Sequence, residues 1–493
     1  MAPPIDQQTP APAAAKRRRF DYPRWFVTLF FTDIWERFSF YGMMAVLTLY
    51  AAAPSEEGGL GLPKTDAAAL FGAYIGLVFV LSLPGGWIGD RILGYRRATI
   101  MGGVLIALGH YSMAVPTRFT SYLGLILIAL GTGLLKPNML ALLSSAFGSH
   151  ERAKREAAFS IFYVSIQVSA LLAPLIVGFL AENYGWHWGF SAAAVGMTFG
   201  VAQFVMGAKH FGESGRVPQQ PATTAQRRRI GGRAAAGLAV VSALLIVDVF
   251  AGTFTPMHLI GIFAACALFV PFIYFLVLLR SPEVGQDGRK RLRPFFWLLL
   301  SFSLFWMLAA QTGALLSLFA RQSTDRSILG FELPVSWFQS AVPFFILLTA
   351  PVFAWLWVRL GHRFGTAAKF GLALLLAAGA FIVMSPAAAL ALDGKVSPLW
   401  LVAAFFLIAC GEVIIGPIGL ATAAEVVSSA FTGRTIGLIW LFSALGAGLG
   451  SQVVHLSDVL PHYVYYLSLG LLVGCAGTAV ICARRSLNPT RQG

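Results

Sequence analysis

The sequence predicts an all-α protein that crosses a membrane many times. Hydrophobic residues make up 57% of its 493 residues and charged residues only 12%, whereas soluble domains carry about 25% charged residues. Apolar runs long enough to cross a bilayer, which takes roughly 20 residues, recur along the whole chain. The segments between these runs alternate between basic and neutral or acidic. These observations predict fourteen transmembrane helices, arranged as two six-helix bundles with an extra two-helix hairpin between them.

Each predicted helix corresponds to one apolar run of spanning length. The fourteen runs cover residues 25–52, 68–89, 98–115, 120–146, 157–182, 187–208, 234–252, 257–280, 293–320, 335–358, 367–388, 398–424, 434–456 and 462–483. The seventh and eighth runs are almost free of charge and lie between basic linkers, so they form the predicted hairpin. The predicted domains are a disordered basic tail (1–24), an N-terminal bundle (25–208), the linkers and hairpin (209–292), a C-terminal bundle (293–483) and a C-terminal tail (484–493).

The loops richest in Lys and Arg all fall on one side of the predicted membrane. These loops lie within residues 16–19, 90–97, 151–155, 227–233, 289–293, 359–369 and 484–485. An excess of Lys and Arg marks the cytoplasmic face, so we expect both termini in the cytoplasm. The formal net charge of +15 is then explained by topology, and we expect no nucleic-acid partner.

The first predicted helix carries three charged residues inside its apolar run. Asp33, Arg37 and Tyr41 follow one another at a spacing of four and share one helix face, with Glu36 three residues after Asp33. A charge at mid-membrane costs about 2.5–3.5 kcal/mol on insertion scales and is rare unless it lines a cavity. Pairing of Asp33 with Arg37 lowers this cost. The alternative is a displaced helix end at the water surface, which the apolar residues beyond Tyr41 disfavour.

Two further charged residues lie deep in later apolar runs. Lys136 follows a Gly-rich segment and precedes Pro137, which lacks an amide hydrogen and loosens the helix. Glu412 lies in a run interrupted by Gly411 and Pro417. Each needs a partner of opposite charge, or a proton, inside the membrane. The alternative for each is a side chain that extends to the membrane surface.

Taken together, the intramembrane charges do not balance. Asp33, Glu36 and Glu412 are three carboxylates, and only two cations, Arg37 and Lys136, face them. A low-dielectric cavity disfavours an unbalanced charge, so we expect one carboxylate to take up a proton readily. A zwitterion could place its carboxylate toward the two cations and its ammonium toward Glu412. It would then bridge the two halves of the protein.

The short loop between the second and third predicted helices reads Gly-Gly-Trp-Ile-Gly-Asp-Arg-Ile-Leu-Gly-Tyr-Arg-Arg (85–97). It resembles the loop motif of major facilitator transporters, in which glycines let helices approach and an Asp/Arg pair latches the cytoplasmic side. A topology signal alone would explain the arginines but not this order of residues. The resemblance implies a major facilitator fold, with substrate bound at the midplane between the halves.

The charged residues also lie in motifs that resemble those of the proton-dependent oligopeptide transporter family. The first-helix motif ExxERFxYY corresponds to residues 33–41, and the fourth-helix KPN to residues 136–138. Further matches, in the family's order, cover 159–190, 305–311, 336–343 and 411–419. The extra hairpin is typical of bacterial members, so the resemblance implies a protein of the bacterial inner membrane.

The resemblance implies roles for particular residues. The proton-coupling residues would be Asp33, Glu36, Arg37 and Lys136. The substrate-binding residues would be Arg37, Tyr41, Lys136, Gln167, Trp306, Gln311, Glu412 and Trp440. For Trp440, a purely structural aromatic role is an equally good interpretation.

Several pocket positions depart from the family pattern. Phe40 and Phe79 stand where the family has tyrosine, and Val342 replaces an asparagine. Met44 and Ala310 replace an arginine and a glutamate that can form a salt bridge between the halves. Losing both charges together is tolerable, whereas losing one would leave a buried charge unpaired. We therefore expect a narrower or more apolar substrate preference and a gate held by other contacts.

The leading hypothesis is a proton-driven symporter of di- or tripeptides, or of peptide-like zwitterions. The second keeps the fold and the proton coupling but changes the cargo to an amino-acid conjugate, a modified peptide or a small hydrophobic acid. A third is a ligand sensor that does not transport. We expect no enzyme, because Asp33 and Glu36 lie on one helix without a Ser/His dyad or an HExxH motif.

The four cysteines fall in apolar runs without CxxC spacing. Neither a disulfide framework nor a metal site is expected, because such cysteines behave as small hydrophobic residues. We expect no cofactor. The expected partners are the substrate, protons and membrane lipid, and we expect a monomer.

Overall fold

The computed structural model describes residues 23–146, 152–219, 221–253, 255–281, 284–328, 330–360, 364–426 and 432–487. Most of the predicted terminal tails therefore lies outside the described residues. The same holds for residue 151 of one basic loop and residues 361–363 of another. The described chain is almost entirely helical, which confirms the predicted fold class.

Within the described residues, the first half contains seven α-helices. They are α1 (Arg24–Ala52), α2 (Lys64–Ile88), α3 (Tyr95–Ala114), α4 (Arg118–Ser145), α5 (Arg152–Ala173), α6 (Phe179–Tyr184) and α7 (Trp186–Gly207). A π-helical turn, Gly89–Leu93, extends α2, and a second one, Pro174–Gly178, joins α5 to α6. Helices α5 and α6 therefore form one membrane-crossing element. Helix α1 packs against α5 and α7, and α4 packs against α2 and α3.

Helices α3 and α4 approach closely because glycines lie at their contact. A Cβ atom on Gly102 would come within 2.7 Å of the Gly131 carbonyl oxygen, and one on Gly109 within 2.8 Å of the Gly124 carbonyl oxygen. Small residues let transmembrane helices approach until their backbones touch, and this packing replaces the hydrophobic driving force that lipid does not supply.

The inserted hairpin consists of α8 (Thr224–Phe250) and α9 (Pro256–Arg280). At the turn between them, Asp248 Oδ1 accepts a hydrogen bond from Thr253 Oγ1 at 2.6 Å, and its Oδ2 lies 2.5 Å from His258 Nδ1. The one acidic residue of the hairpin is therefore paired within the turn.

The described part of the second half contains the remaining eight α-helices. They are α10 (Gly285–Ala309), α11 (Leu315–Ser323), α12 (Ala341–Leu360), α13 (Thr366–Leu390), α14 (Leu399–Val426), α15 (Thr432–Val453), α16 (Leu456–Val459) and α17 (His462–Cys482). Helix α13 packs against α14 and α17, and α10 packs against α15. Helix α15 also packs against α2, which joins the two halves, and α9 of the hairpin lies against both of these helices.

The ninth predicted run, 293–320, is not one continuous helix. Helix α10 changes into a 3₁₀ turn, Ala310–Thr312, and the chain resumes as α11. An antiparallel β-hairpin follows, in which the two-residue strands β1 (Ser327–Ile328) and β2 (Phe331–Glu332) pair. A 3₁₀ helix (Val335–Ser340) then leads into α12. This interruption was not predicted, although Gln311, Thr312 and Gly313 fall at that point of the apolar run.

Each of the fourteen predicted runs is helical over most of its length, including the interrupted ninth run. Within the described residues, twelve helical elements are long and apolar enough to cross a membrane. The two remaining predicted spans are α1 and α3, which are 29 and 20 residues long. Helix α1 holds the predicted intramembrane charges, and α3 carries Arg96 and Arg97 in its first turn, so neither contains an uninterrupted stretch as apolar as those of the other twelve.

Candidate functional site

The charged residues of α1 form a compact buried cluster. Arg37 Nε lies 3.3 Å from Asp33 Oδ1 and 3.3 Å from Glu36 Oε2. Asp33 and Glu36 are fully buried, and Arg37 is 8% exposed. The predicted pairing of Asp33 with Arg37 one helical turn away is present. These charges do not lie at a displaced helix end, because α1 continues to Ala52.

Lys136 of α4 joins this cluster from a neighbouring helix. Its Nζ lies 4.0 Å from Glu36 Oε1 and 3.7 Å from the centre of the Phe40 ring. A cation over an aromatic face is attracted by the ring quadrupole. The phenylalanine that departs from the family pattern therefore contacts the cation directly. The Lys136 side chain is only 12% exposed, so it does not extend to the membrane surface.

The Asn of the KPN motif explains how Lys136 is positioned. Asn138 Nδ2 donates hydrogen bonds to the Gly85 carbonyl at 2.9 Å and to the Leu134 carbonyl at 2.6 Å. Gly85 belongs to α2, so this buried side chain joins α4 to α2 two residues after Lys136. A Cβ atom on Gly89 would collide with the Asn138 amide, which shows how closely the two helices approach there.

Ser165 of α5 completes the surroundings of Asp33. Its Oγ lies 2.8 Å from Asp33 Oδ2 and 2.7 Å from the Phe162 carbonyl oxygen. A serine hydroxyl has one hydrogen to donate, and its oxygen can also accept. Ser165 was not among the predicted site residues. Its position within the fifth-helix motif was the only signal, because facing another helix is a property of the fold.

Glu412 of α14 stands apart from the other charges. It is partly exposed, and it has no hydrogen bond or ion pair with any residue that the structure describes. It interacts electrostatically with Tyr41 of α1 and Tyr163 of α5. The second half therefore places one unpaired carboxylate opposite two tyrosines of the first half.

Two tyrosines near these charges were not among the predicted site residues. Tyr163 faces Glu412, and Tyr74 of α2 is buried and interacts electrostatically with Glu36. The Tyr74 hydroxyl has no hydrogen-bond partner within the described chain. The sequence offered no signal for Tyr74, whereas Tyr163 lies within the fifth-helix motif.

An aromatic contact also connects the two halves. The Phe79 ring of α2 stacks on the Trp440 ring of α15, with centres 5.7 Å apart and planes 19° from parallel. Trp440 remains 38% exposed. Trp306 packs against Phe302 and Phe305 of its own helix, and its Nε1 has no hydrogen-bond partner in the described part of the chain.

The other predicted site residues line the same region or pack inside the bundles. Gln167 is buried on α5. Gln311 is 1% exposed, and its Nε2 donates to the Gly450 carbonyl at 3.1 Å, within the second half. The remaining positions are apolar and at least partly buried: Met44, Ala310 and Val342.

A second set of contacts joins the halves at the distal end, by which we mean the end where α1 finishes at Ala52 and α2 begins at Lys64. Glu182 of α6 accepts three hydrogen bonds from the start of the 3₁₀ helix in the second half. The donors are the Val335 amide at 2.8 Å, the Ser336 amide at 2.8 Å and the Ser336 hydroxyl at 2.6 Å. We call this group the Glu182 latch. None of these three residues was among the predicted site residues.

Further hydrogen bonds extend the distal contact. Trp337 Nε1 donates to the Leu175 carbonyl at 3.1 Å, and Ser340 Oγ donates to the Leu171 carbonyl at 2.7 Å. Thr48 Oγ1 donates to the Gly313 carbonyl at 2.6 Å. The acceptors Leu171 and Leu175 lie beside or within the second π-helical turn. The two halves are thus held together at their distal ends by side chains that bind the opposite backbone.

The chain is similar to a family of transporters over most of its length. Residues 96–466 match the model of the POT family. The di-/tripeptide transporter of Lactococcus lactis subsp. cremoris is 33% identical over 480 residues, which cover 95% of this chain and 96% of that protein. A crystal structure of a peptide transporter POT in complex with sulfate matches with a TM-score of 0.91 at 35% identity, covering 97% of each chain. A POT family transporter in complex with 5-aminolevulinic acid matches with a TM-score of 0.90 at 29% identity, covering 95% of this chain and 97% of that one.

Proposed function

Because this chain belongs to the POT family of transporters, we propose that it is a proton-coupled symporter of di- and tripeptides that works by alternating access. The observation that carries the proposal is the buried cluster of Asp33, Glu36, Arg37 and Lys136, which lies on the first half while the unpaired Glu412 lies on the second. These two groups of charges match the two ends of a peptide zwitterion.

In this proposal, Lys136 and Arg37 bind the substrate carboxylate and Glu412 binds the substrate ammonium. Lys136 is the less tightly held cation, because its carboxylate contact is 4.0 Å long and its other contact is an aromatic ring. It can therefore turn toward a substrate carboxylate without breaking a short ion pair. A bound zwitterion links both halves, and this contact favours the closed state of the transporter.

Proton coupling follows from competition for the same cations. Glu36 contacts both Arg37 and Lys136, and Asp33 contacts Arg37. Protonation of either carboxylate removes its attraction for the cations and frees them for the substrate. Proton release restores the original pairing and favours release of the substrate.

We also propose that the distal end faces the outside of the cell, because the basic loops lie at the opposite end. Both termini are then cytoplasmic, the protein resides in the bacterial inner membrane, and the described conformation is closed to the outside. The Glu182 latch takes the place of the ion pair that Met44 and Ala310 cannot form.

We further propose that the domains follow the predicted boundaries and that the protein functions as a monomer.

A second cargo is favoured by the apolar lining. Phe40 lies over the binding cation, and Phe79 stacks on Trp440 beside the site. Both positions lack the hydroxyl that the family pattern has, so the site offers fewer hydrogen bonds to a peptide backbone. A modified peptide or an amino-acid conjugate would lose less binding free energy at such a site than a polar dipeptide would.

Reconstitution into liposomes tests the function. With the interior loaded at neutral pH and an acidic bath, the protein should concentrate a labelled dipeptide, and a protonophore should abolish the accumulation. Liposomes containing Lys136→Gln protein serve as the control and should not concentrate it. Accumulation that persists with the protonophore would contradict proton coupling. Competition by apolar and polar dipeptides, and by amino acid conjugates, ranks the two classes of cargo.

A further inference from the structure

A cavity of about 350 Å³ lies at the start of α10, outside the transport site. Its lining consists of Lys290, Arg293, Pro294, Trp297, Ser486 and Leu487. The first four residues belong to α10, and the last two follow the 3₁₀ turn Ala483–Arg485 that ends α17. The cavity is therefore formed by the first helix and the last helical turn of the second half.

The lining of this cavity changes from charged to apolar along α10. Lys290, Arg293 and Trp297 are separated by three and four residues, so they follow one face of the helix. All three side chains are exposed. Lys290 has one ion pair, 3.6 Å from Asp287, and both of these side chains are largely exposed to solvent. An exposed pair of this kind is weak, so Lys290 is available to a ligand together with Arg293.

The neighbouring Arg289 is not part of the cavity lining. Arg289 donates from Nη2 to the Ser281 carbonyl at 3.3 Å and so turns toward the linker. A topology signal requires only positive charge near the membrane. It does not require two cations and an aromatic ring to line one cavity.

Trp297 marks the depth of the cavity in the membrane. It is 57% exposed and lies where the basic start of α10 gives way to its apolar part. Tryptophan is enriched at this boundary, because its ring suits the headgroup region of the bilayer. The cavity is thus lined by two cations near the start of α10 and, further along the helix, by the Trp297 ring, and Leu487 adds a second apolar side chain.

We propose that this cavity binds the headgroup of an anionic glycerophospholipid. Arg293 and Lys290 would bind the phosphate diester, since a guanidinium donates two parallel hydrogen bonds to phosphate oxygens. Trp297 and Leu487 would contact the glycerol and the first methylenes of the acyl chains. Basic pockets between transmembrane helices at the cytoplasmic side are suited to such headgroups.

The test uses the full-length protein, stripped of lipid in detergent and titrated with phosphatidylglycerol or with phosphatidylcholine of the same acyl chains. Native mass spectrometry reads the bound lipid. The Lys290→Gln/Arg293→Gln protein should bind phosphatidylglycerol more weakly by about fivefold for each cation removed. The matched control is Arg227→Gln/Arg228→Gln, which removes two exposed cations from α8 and should leave this affinity unchanged.

Three results would overturn the proposal. The first is unchanged phosphatidylglycerol affinity in the Lys290→Gln/Arg293→Gln protein. The second is an equal loss in the α8 control, which would indicate general surface charge. The third is full competition by inorganic phosphate, which would indicate an anion site without a lipid contribution. Weaker binding of phosphatidylglycerol by Trp297→Leu, with both cations intact, would support contact between the ring and the lipid.

Discussion

Ser165 Oγ lies 2.8 Å from Asp33 Oδ2, and the same oxygen lies 2.7 Å from the Phe162 carbonyl. This geometry suits Asp33 in both of its protonation states. When Asp33 is ionised, the serine donates its hydrogen to the carboxylate. When Asp33 is protonated, the acid can donate to Ser165 Oγ while the serine donates to Phe162. A buried carboxyl group thus keeps a hydrogen-bond partner with or without the proton.

We therefore predict that Ser165→Ala impairs proton-driven uptake more than proton-independent exchange. A buried hydrogen bond to a charged group contributes about 1.5–3 kcal/mol, which corresponds to a loss of about tenfold or more in the driven rate. The measurement compares uptake under a proton gradient with counterflow in its absence.

Ser169→Ala is the matched control for this prediction. Ser169 lies one turn further along α5, and its hydroxyl donates to the Ile34 carbonyl at 3.2 Å instead of to a carboxylate. Its replacement should affect both modes of transport little. Equal losses of driven uptake and counterflow in Ser165→Ala would contradict a role in proton coupling.

The proposed roles of Lys136 and Glu412 predict opposite effects of substitution on binding of blocked peptides. Lys136→Gln should weaken binding of dipeptides with a free carboxylate and leave amidated dipeptides unaffected, because the amide does not use the cation. Glu412→Gln should weaken binding of dipeptides with a free amino group and leave acetylated ones unaffected. Each loss should reach about tenfold or more, the effect of removing one partner of a buried charge pair.

Competition against a labelled substrate measures these affinities. The two variants serve as controls for each other, since both remove one charge from the proposed substrate site. A variant that weakens binding of the unblocked, amidated and acetylated dipeptides equally would indicate a general disturbance of the site and would contradict the role proposed for that residue.

The Glu182 latch predicts a shift of conformation. Glu182→Gln keeps one acceptor oxygen but replaces the other with an amide group that cannot accept from a backbone amide. Loss of about 2 kcal/mol should raise the population open at the distal end about 30-fold. Spin labels on α6 and on the start of α12, in a background without the native cysteines, report the distance between the halves.

Glu57→Gln provides the comparison for the latch. Glu57 also joins the halves, through Arg321 Nη2 at 3.5 Å, but its side chain is 58% exposed. Exposed ion pairs contribute about 0–1 kcal/mol, so this variant should leave the distance distribution nearly unchanged. Identical distributions for Glu182→Gln and the unmodified protein would rule out a gating role for the latch.

The contact between α2 and α4 predicts non-additive effects on stability. Gly89→Ala should lower the thermal midpoint, because the new methyl group collides with Asn138. Asn138→Ala should also lower it, by loss of two buried hydrogen bonds. In the Asn138→Ala background, however, Gly89→Ala should be nearly neutral, because the colliding amide is gone. Strictly additive midpoints would show that the two side chains do not meet.

Part of the site follows from the sequence because it is local. Asp33 and Arg37 lie four residues apart on a helix, and this spacing alone brings their side chains together. The unbalanced charge was visible in the same way, because charges inside apolar runs can be counted. The break at residues 310–314 was not predicted, although Gln311, Thr312 and Gly313 lie there, because single polar residues and glycines also occur within continuous transmembrane helices.

The sequence by itself determined the helices, the intramembrane charges and the family, because spanning length, charge in apolar surroundings and motif order are properties of short segments. The tertiary structure decided which residues from distant segments meet. Lys136 over Phe40, Ser165 beside Asp33 and Glu182 on the opposite 3₁₀ helix all depend on how helices rotate and pack. A hydrogen bond requires its partners to lie within a few tenths of an ångström of the right separation, and only the packed bundle sets distances between helices that finely.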